Sequence, residues 1–312
     1  QQCRRRRGGD VLGIRRRIAG GGDDSIALGC FRDIGRGFQI AFGSEFRCGL
    51  RHGGRFSHLR LRRQRRLLFH PIAERAQDRG EILAGGTDGV KISPDWKPMG
   101  EVGPRVYALF EVAAGNLLAG TLTEGLYRYA DGAWGPVADG PPDWQIYQII
   151  RSQSGRLLAC SGAIINGEKD GSVYTSDDDG RTWVATLSGR SYYKMAQAAD
   201  GTIYAGGRRC YISRSTDDGN TWELCPLPLG QESKMYSLAA DKAGRLFLGA
   251  GGQLLRSSDG AQTWTVLDEG IDGISVYDLR EGPDGLLAAA TSVGVFVSDN
   301  GGDNWRAGHL IS

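Results

Sequence analysis

The 312-residue sequence has few of the residues that build metal sites, and it has no long apolar run. It contains four histidines and six cysteines, with no Cys-x-x-Cys pair and no cysteine–histidine spacing typical of zinc. No apolar segment approaches the roughly 18 residues that a membrane-spanning helix needs. We therefore predict no bound metal, no cofactor and no membrane span.

The cysteines are too scattered to indicate a disulfide framework, but one pair is symmetric. Cys210 and Cys225 lie on either side of the turn formed by residues 215–222, equally far from its Asp217–Asp218 pair. A disulfide across this hairpin would indicate an oxidising compartment. The alternative is that both are free thiols that act as small apolar side chains.

Lysine is absent from residues 1–66, and this segment differs in charge from the rest of the chain. It holds 17 arginines and five acidic residues, whereas the remainder holds 21 basic and 31 acidic residues. An arginine-rich arm that binds phosphates is one interpretation. We instead expect residues 1–66 to be a disordered or misannotated leader and residues 67–312 to be the folded domain, with no nucleic-acid partner. An extra strand from the leader, packed on the domain, is a further alternative.

One stretch of eight residues recurs four times in the second half of the chain. The copies begin at Ser176, Ser215, Ser257 and Ser298 and read SDDDGRTW, STDDGNTW, SSDGAQTW and SDNGGDNW. Their spacings of 39, 42 and 41 residues are typical of an array of small supersecondary units. We call these four stretches the octets.

The residue types in an octet predict a tight turn between two strands. Ser and Asp side chains accept hydrogen bonds from backbone N–H groups, and Gly permits a positive φ. The Trp that ends the octet needs a surface to bury against, which a neighbouring unit of the array provides.

The octets resemble the Asp-box, or BNR, repeat with the signature Ser-x-Asp-x-Gly-x-Thr-Trp, found in a superfamily of β-propellers that includes the sialidases. The first two copies match fully, the third has Ala261 in place of Gly, and the fourth has Asn300 and Asn304 in place of Asp and Thr. The resemblance implies a structural role for the box, away from the ligand. The residues assigned that role are Ser176, Asp178, Gly180, Trp183, Ser215, Asp217, Gly219, Trp222, Ser257, Asp259, Trp264, Ser298, Asn300, Gly302 and Trp305.

The segments between octets predict an all-β fold of four-stranded antiparallel blades. Two further units without a complete octet bring the count to six blades, and a seventh blade from residues 40–66 is the alternative. The tryptophans expected at equivalent places are Trp96, Trp134, Trp183, Trp222, Trp264 and Trp305.

Strand direction divides the connections between the two faces of such a ring. The octets share one face, which we call the octet face, with the turns between first and second strands. The opposite face, which we call the loop face, carries the second-to-third-strand loops and the blade-to-blade connections. It includes the long loop of residues 161–171, so we predict the ligand site there. The candidate ligand-binding residues are Arg105, Trp144, Asn166, Glu168, Lys169, Lys194, Arg208, Arg209 and Asp278.

A tyrosine begins the first strand of five blades. Because a binding site is normally asymmetric, regular repetition favours inter-blade packing for this column, which is Tyr107, Tyr147, Tyr193, Tyr236 and Tyr277. The next position varies, and we expect it to line the central channel, where Lys194 and Asp278 form part of a polar or charged ring.

Nothing in the sequence identifies a catalytic centre. Sialidase chemistry needs an arginine triad and a Tyr–Glu pair, commonly after an early Arg-Ile-Pro motif, and no Arg-x-Pro occurs here. The chain is more similar to noncatalytic members such as photosystem II assembly factors. We expect a monomeric, extracytoplasmic binding or assembly scaffold for a protein or glycan. A sialidase-like glycoside hydrolase is the alternative.

Overall fold

A computed structural model describes most of the chain from residue 97 onward and a few strands before it. The described residues are 13–15, 38–39, 47–52, 55–60, 72–75, 82–86, 89–92, 95, 97–100, 102, 105–143, 145–165, 168–207, 211–229, 233–267, 269–282 and 284–308.

Within these residues the secondary structure is all β, with 30 strands and no helix, and the strand pairings are antiparallel. The strands before residue 105 are β1 (Gly13–Arg15), β2 (Phe38–Gln39), β3 (Arg47–His52), β4 (Arg55–Arg60), β5 (Ile72–Arg75), β6 (Ile82–Gly86), β7 (Gly89–Ile92) and β8 (Lys97–Pro98). Strands β5–β8 form the first blade, and β2 pairs with β5 as a fifth strand of that sheet. Strands β1, β3 and β4 form a separate three-stranded sheet.

Five four-stranded blades follow in chain order. The second is β9 (Val106–Ala113), β10 (Asn116–Thr121), β11 (Leu126–Ala130) and β12 (Ala133–Pro136). The third is β13 (Ile146–Arg151), β14 (Leu157–Ser161), β17 (Ser172–Ser176) and β18 (Val184–Ser188), with a small hairpin, β15 (Ala163–Ile165) and β16 (Glu168–Asp170), between its second and third strands.

The last three blades repeat the pattern without the extra hairpin. They are β19 (Tyr192–Gln197), β20 (Ile203–Gly207), β21 (Ile212–Ser215) and β22 (Glu223–Cys225); β23 (Met235–Ala240), β24 (Leu246–Ala250), β25 (Gln253–Ser257) and β26 (Thr265–Leu267); and β27 (Val276–Glu281), β28 (Leu287–Thr291), β29 (Gly294–Ser298) and β30 (Arg306–Ala307). The prediction of a six-bladed β-propeller is confirmed. We predicted a disordered or misannotated leader for residues 1–66. Most of these residues lie outside the described ranges, so this stays a prediction.

The core lies between blades rather than within them. Each apolar cluster joins the inner strands of two successive blades, and it includes the octet tryptophan of the later blade: Trp183, Trp222, Trp264 and Trp305. Trp134 does the same between the first two blades, whereas Trp96 lies outside the described residues. Packing of each blade on its neighbour therefore buries the apolar faces, as repeat architectures require.

The octets form tight turns held by the side chains that the sequence indicates. In the first, the Ser176 hydroxyl accepts from Gly180 N–H at 2.8 Å and donates to Asp178, whose carboxylate also accepts from Thr182 N–H and Oγ1. The second and third copies keep these bonds, and there the hydrogen bonds from Thr221 and Thr263 hold the pKa values of Asp217 and Asp259 at about 2. In the fourth copy Asn300 accepts from Asn304 N–H without a charge.

Each octet turn accepts a hydrogen bond from an arginine of the preceding blade. Arg128, Arg156, Arg214 and Arg256 donate to the backbone carbonyls of Asp179, Asp218, Gly260 and Gly301, which all occupy the fourth position of an octet. That position has a positive φ of 57–75° in all four copies. We call these contacts the arginine clamps. They join successive blades on the octet face, so the octets act between blades as well as within them.

Candidate functional site

The tyrosine column lies where the first strands begin, at the loop face, and each tyrosine occupies a β-bulge. In all five blades the register slips across the tyrosine; for example, Tyr192 lies opposite Gly207 and Lys194 opposite Gly206, which leaves Tyr193 unpaired between them. A bulge re-aims the side chain of the extra residue. The tyrosine side chains are half-buried in all five blades.

Neighbouring rings of this row contact each other edge to face across the blade boundaries. The centroids lie 5.6 Å apart for Tyr107 and Tyr147, 4.6 Å for Tyr147 and Tyr193, and 5.5 Å for Tyr236 and Tyr277. Such T-shaped pairs are favourable because the positive edge of one ring meets the negative face of the other. The prediction of inter-blade packing is confirmed for these pairs. We call the row Tyr107–Tyr147–Tyr193 the tyrosine arc.

The long loop of the third blade is a β-hairpin that rises beside the tyrosine arc. Its strands β15 and β16 pair Ala163 with Asp170 and Ile165 with Glu168. At its base, a Cβ on Gly162 would lie 3.0 Å from the rings of both Tyr147 and Tyr193, and one on Gly171 would lie 2.5 Å from a backbone carbonyl. Glycine is therefore required where the hairpin leaves the blade.

The sequence held an unused signal for this hairpin. Asn166-Gly167 stands between Ala-Ile-Ile and Glu-Lys-Asp, and Asn-Gly between short strands is the strongest local indication of a two-residue hairpin turn. We expected only a long loop at this place.

A carboxylate in the connection between the second and third blades forms hydrogen bonds to the third blade. Asp143 accepts hydrogen bonds from the Ser161 hydroxyl and, at 2.8 Å, from the Tyr174 hydroxyl. Ser161 in turn accepts from Ser172 N–H at 2.8 Å. These bonds join the connection to the ends of β14 and β17 from which the hairpin leaves the blade.

The row of residues that follows the tyrosines, which we call the channel row, contacts the next blade at two of its positions, and its place along the central channel stays a prediction. The row is Ala108, Gln148, Lys194, Ser237 and Asp278. The Gln148 amide accepts from Met195 N–H at 2.7 Å and donates to Met195 C=O at 3.2 Å, and the Ser237 hydroxyl donates to Val276 C=O at 3.1 Å. Gln148 and Ser237 therefore join the first strands of neighbouring blades.

Three charges of the channel act on one another. Burial lowers the pKa of Lys194; Arg280 also lowers it, and Asp278 opposes the change. Nε of Arg280 lies 3.4 Å from a carboxylate oxygen of Asp278. Our sequence reasoning missed Arg280, although it stands two positions after Asp278 in β27 and therefore on the same side of that strand.

A second aromatic group lies between the third and fourth blades, at the base of the loop that contains Arg208 and Arg209. The Arg190 guanidinium stands 4.8 Å from the Tyr211 ring centroid, which is a cation–π distance. The Tyr211 hydroxyl donates to Ser191 C=O. Burial and the neighbouring tyrosines raise the pKa of Tyr211, so its phenol stays protonated.

The remaining predicted residues fall in different places. Arg105 precedes β9 with a φ of 64°, and its carbonyl accepts from Leu122 N–H at 3.0 Å. Glu168 and Lys169 belong to the hairpin strand β16, whereas Trp144, Asn166, Arg208 and Arg209 lie outside the described residues. Cys225 is a buried free thiol that lies opposite Ile212. Cys210 lies outside the described residues, so the Cys210–Cys225 pairing stays a prediction.

No group of three or more His, Cys, Asp or Glu side chains is placed to hold a metal ion in the part of the chain that the structure describes. Over the same residues, no helix is long and apolar enough to cross a membrane.

Comparison with known proteins places the chain among β-propellers. No family model matches it. It is 31% identical over 134 residues to the photosystem II assembly lipoprotein Ycf48 of Synechococcus sp. (strain CC9902), and this match spans 39% of the chain and 38% of the relative's length.

Two solved structures share the fold. One is YCF48 bound to D1 peptide, with a TM-score of 0.53 and 18% identity, covering 73% of this chain and 78% of that one. The other is the GH74 xyloglucanase from Xanthomonas campestris, with a TM-score of 0.54 and 19% identity, covering 75% of this chain and 45% of that one.

Proposed function

We propose that this chain is a noncatalytic scaffold whose loop face holds an extended segment of another protein. The observation that carries the proposal is the tyrosine arc beside the projecting hairpin. Half-buried aromatic side chains on a rigid base are typical anchors of protein interfaces, and an irregular loop next to them supplies the asymmetry that a specific partner requires.

The similarity to photosystem II assembly proteins supports a protein partner. The matched relative is an assembly lipoprotein, and the structure with the same fold was solved with a D1 peptide bound. A lipoprotein relative also supports an extracytoplasmic location. We extend peptide binding to this chain, place the peptide on the loop face, and propose that the chain binds it as a monomer.

A Tyr–Glu hydrogen bond on the loop face does not fit a sialidase nucleophile. The Tyr127 hydroxyl donates to Glu124 at 2.9 Å on the loop face. This hydrogen bond, with burial and the Glu124 charge, raises the pKa of Tyr127. A tyrosine nucleophile needs the opposite change, because the phenolate is its reactive form. The pair therefore supports a noncatalytic role.

A glycan ligand is the competing proposal, because a xyloglucanase shares the fold. Sugars bind best to an open ring face, and in the tyrosine arc the edge of each ring meets the face of its neighbour. The arc therefore favours a polypeptide.

Fluorescence polarisation tests the proposal with a labelled D1 peptide and, separately, a labelled xyloglucan oligosaccharide. We expect the peptide to bind and Tyr147→Ala to weaken binding about tenfold, which corresponds to about 1.4 kcal/mol for a contributing interface aromatic. The matched control is Arg181→Ala in the first octet, on the opposite face, and it should leave binding unchanged.

Melting midpoints of both variants separate lost contacts from lost folding. Binding of the oligosaccharide but not the peptide would replace the proposal with the glycan alternative. Peptide binding that is lost in Arg181→Ala and kept in Tyr147→Ala would place the site on the wrong face.

A further inference from the structure

The fourth octet has an asparagine where the other three octets have an aspartate, and a glycine follows it. Of the five asparagines in the chain, Asn166 and Asn300 precede a glycine, and the structure describes the second of these. Asn300 is exposed on the octet face. Glycine carries no Cβ beside its backbone nitrogen, so the Asn300 side chain can approach the nitrogen of Gly301 without steric hindrance.

The octet turn holds the Asn300 side chain by its carbonyl oxygen. Oδ1 accepts from the Ser298 hydroxyl at 2.9 Å and from Asn304 N–H at 3.1 Å. Within the described residues, Nδ2 of Asn300 donates to no acceptor. Two donors on one carbonyl oxygen stabilise the negative charge that this oxygen gains when a nucleophile adds to Cγ. The turn therefore activates Cγ and leaves the amide nitrogen able to depart.

The backbone nitrogen of Gly301 is the nucleophile nearest to this carbon, because the chain itself links the two. Its N–H donates to no acceptor in the part of the chain that the structure describes. Two guanidinium groups lie against the glycine. Arg256 Nη1 donates to Gly301 C=O at 2.8 Å, and a Cβ built on Gly301 would overlap the Arg245 guanidinium. Nearby positive charge favours loss of the N–H proton, since it stabilises the anion that attacks.

We propose that Asn300 is a deamidation site, at which loss of ammonia converts the fourth octet to the aspartate form of the other three octets. The Gly301 nitrogen gives its proton to water and bonds to Cγ of Asn300, while Oδ1 takes the negative charge. The adduct collapses as Nδ2 takes up a proton and leaves as ammonia, which closes a five-membered succinimide. This inference does not depend on the polypeptide site at the loop face.

Water then opens the succinimide at either of its two carbonyl carbons. Breaking the bond between nitrogen and Cγ gives aspartate with the original backbone. Breaking the bond between nitrogen and the backbone carbonyl carbon gives isoaspartate, whose main chain runs through Cγ and is one methylene longer.

The two products have different effects on the turn. Aspartate can accept from Ser298 and Asn304, as Asp259 accepts from its own serine and from a backbone N–H in the third octet. Isoaspartate lengthens the chain between Ser298 and Gly302, whose N–H donates to the Ser298 hydroxyl at 2.9 Å. This lengthening also displaces Trp305, which is buried between the fifth and sixth blades. We therefore expect aspartate to preserve the octet and isoaspartate to open it.

The third octet is a matched control, because Asp259 and Gly260 occupy the same two positions of the repeat. Hydrogen bonds from Thr263 hold the pKa of Asp259 at about 2, so its carboxylate is ionised at neutral pH. A carboxylate resists nucleophilic attack and has no amide nitrogen to lose. Asp259→Asn should therefore create a second reactive site, and the fourth octet shows that the turn accommodates asparagine.

Incubation of the folded, full-length chain at mildly alkaline pH tests the proposal. Peptide mass spectrometry follows asparagine, aspartate and isoaspartate at each position over time. Asn116 and Asn220 are internal references, since leucine and threonine follow them. We expect Asn300 to lose ammonia at least about tenfold faster than either reference. A melting scan of each sample verifies that the protein is folded.

Three variants separate the causes. Asp259→Asn should lose ammonia at a rate comparable to that of Asn300. Asp217→Asn should react at least about tenfold more slowly than Asp259→Asn, because the side chain of Asp218 hinders the attacking nitrogen. Asn300→Asp should keep the melting midpoint of the unmodified protein, whereas the isoaspartate fraction, separated by ion-exchange chromatography, should melt at a lower temperature.

An Asn300 rate no higher than those of Asn116 and Asn220 would overturn the proposal, as would equal rates in Asp259→Asn and Asp217→Asn. A melting midpoint of Asn300→Asp as low as that of the isoaspartate fraction would show that deamidation does not yield a working aspartate octet.

Discussion

Trp305→Ala tests whether inter-blade indoles hold this propeller together. Trp305 is 5% exposed, packs in the cluster shared by the fifth and sixth blades, and donates its indole N–H to Gly302 C=O at 3.0 Å. Truncating a buried aromatic to Ala costs about 3–5 kcal/mol, and the lost hydrogen bond lies within that range. We expect the free energy of unfolding to fall by about 4 kcal/mol.

For a domain of this size, 4 kcal/mol corresponds to a fall in melting midpoint of roughly 8–16 °C. Calorimetry and urea unfolding measure the two quantities. Trp305→Phe keeps most of the apolar contact and should cost less than half as much. Leu224→Ala, at a side chain that is 58% exposed, is the surface control and should change stability by less than about 0.5 kcal/mol.

A loss below about 1 kcal/mol in Trp305→Ala, or a loss equal to that of the surface control, would refute the assignment of the core to the blade interfaces.

Three further predictions concern the octet face and the site. Arg256→Leu removes an arginine clamp whose side chain is 19% exposed, and urea unfolding should show a loss of about 1–2 kcal/mol; an unchanged midpoint would show that the clamps are incidental. Asp217 has a folded pKa of about 2, below its ordinary 3.8, so its hydrogen bonds stabilise the fold above about pH 4, and this stabilisation is lost as the pH falls through 2. Asp217→Asn should therefore be less stable at neutral pH and should show a shallower loss between about pH 4 and pH 2 in acid titrations followed by circular dichroism; parallel curves would contradict the assignment. Gly162→Ala places a Cβ 3.0 Å from the rings of Tyr147 and Tyr193 and should lower both the melting midpoint and peptide affinity; the matched Gly135→Ala, with nothing within 4 Å, should alter neither, and equal behaviour of the two would refute the packing at the hairpin base.

The octets could be recognised in the sequence because their hydrogen bonds join residues only a few positions apart. Ser176, Asp178 and Thr182 lie within one turn, so the residue types predicted that the serine and the aspartate accept from backbone N–H groups. The hydrogen bonds from the Ser and Thr hydroxyls to the aspartate were not predicted. The third octet, which departs from the signature, keeps part of this local hydrogen bonding. Ala261 N–H still donates to its serine, but the Trp264 indole donates to Pro226 C=O rather than to its own turn.

The arginine clamps were not readable, because their partners lie 45–62 positions apart in the chain. The clamp made by Arg156 shows why a search for arginine at one repeated position would fail. Arg128, Arg214 and Arg256 come from third strands, whereas Arg156 comes from the turn before a second strand and reaches the same carbonyl position from another direction. Only the blade-to-blade packing makes these residues equivalent.

The candidate site also has features that the sequence predicted and features that it did not. The tyrosine column and the channel row followed from repetition, and Lys194 and Asp278 were named from the sequence. Three features depend instead on how neighbouring blades pack: the edge-to-face contacts, the influence of Arg280 on Lys194, and the close approach of the hairpin base to the arc. A β-bulge sets the direction of each tyrosine side chain, and the spacing of residues in the sequence does not predict these bulges.

By itself, the sequence determined the repeating unit, the number of blades and the turn chemistry, because strand alternation, glycine and short-range hydrogen bonds act within a few residues. The tertiary structure decided which side chains meet between blades and at the channel mouth. Those contacts depend on the packing of distant segments, whose geometry is set by the whole ring of blade interfaces rather than by any one repeat.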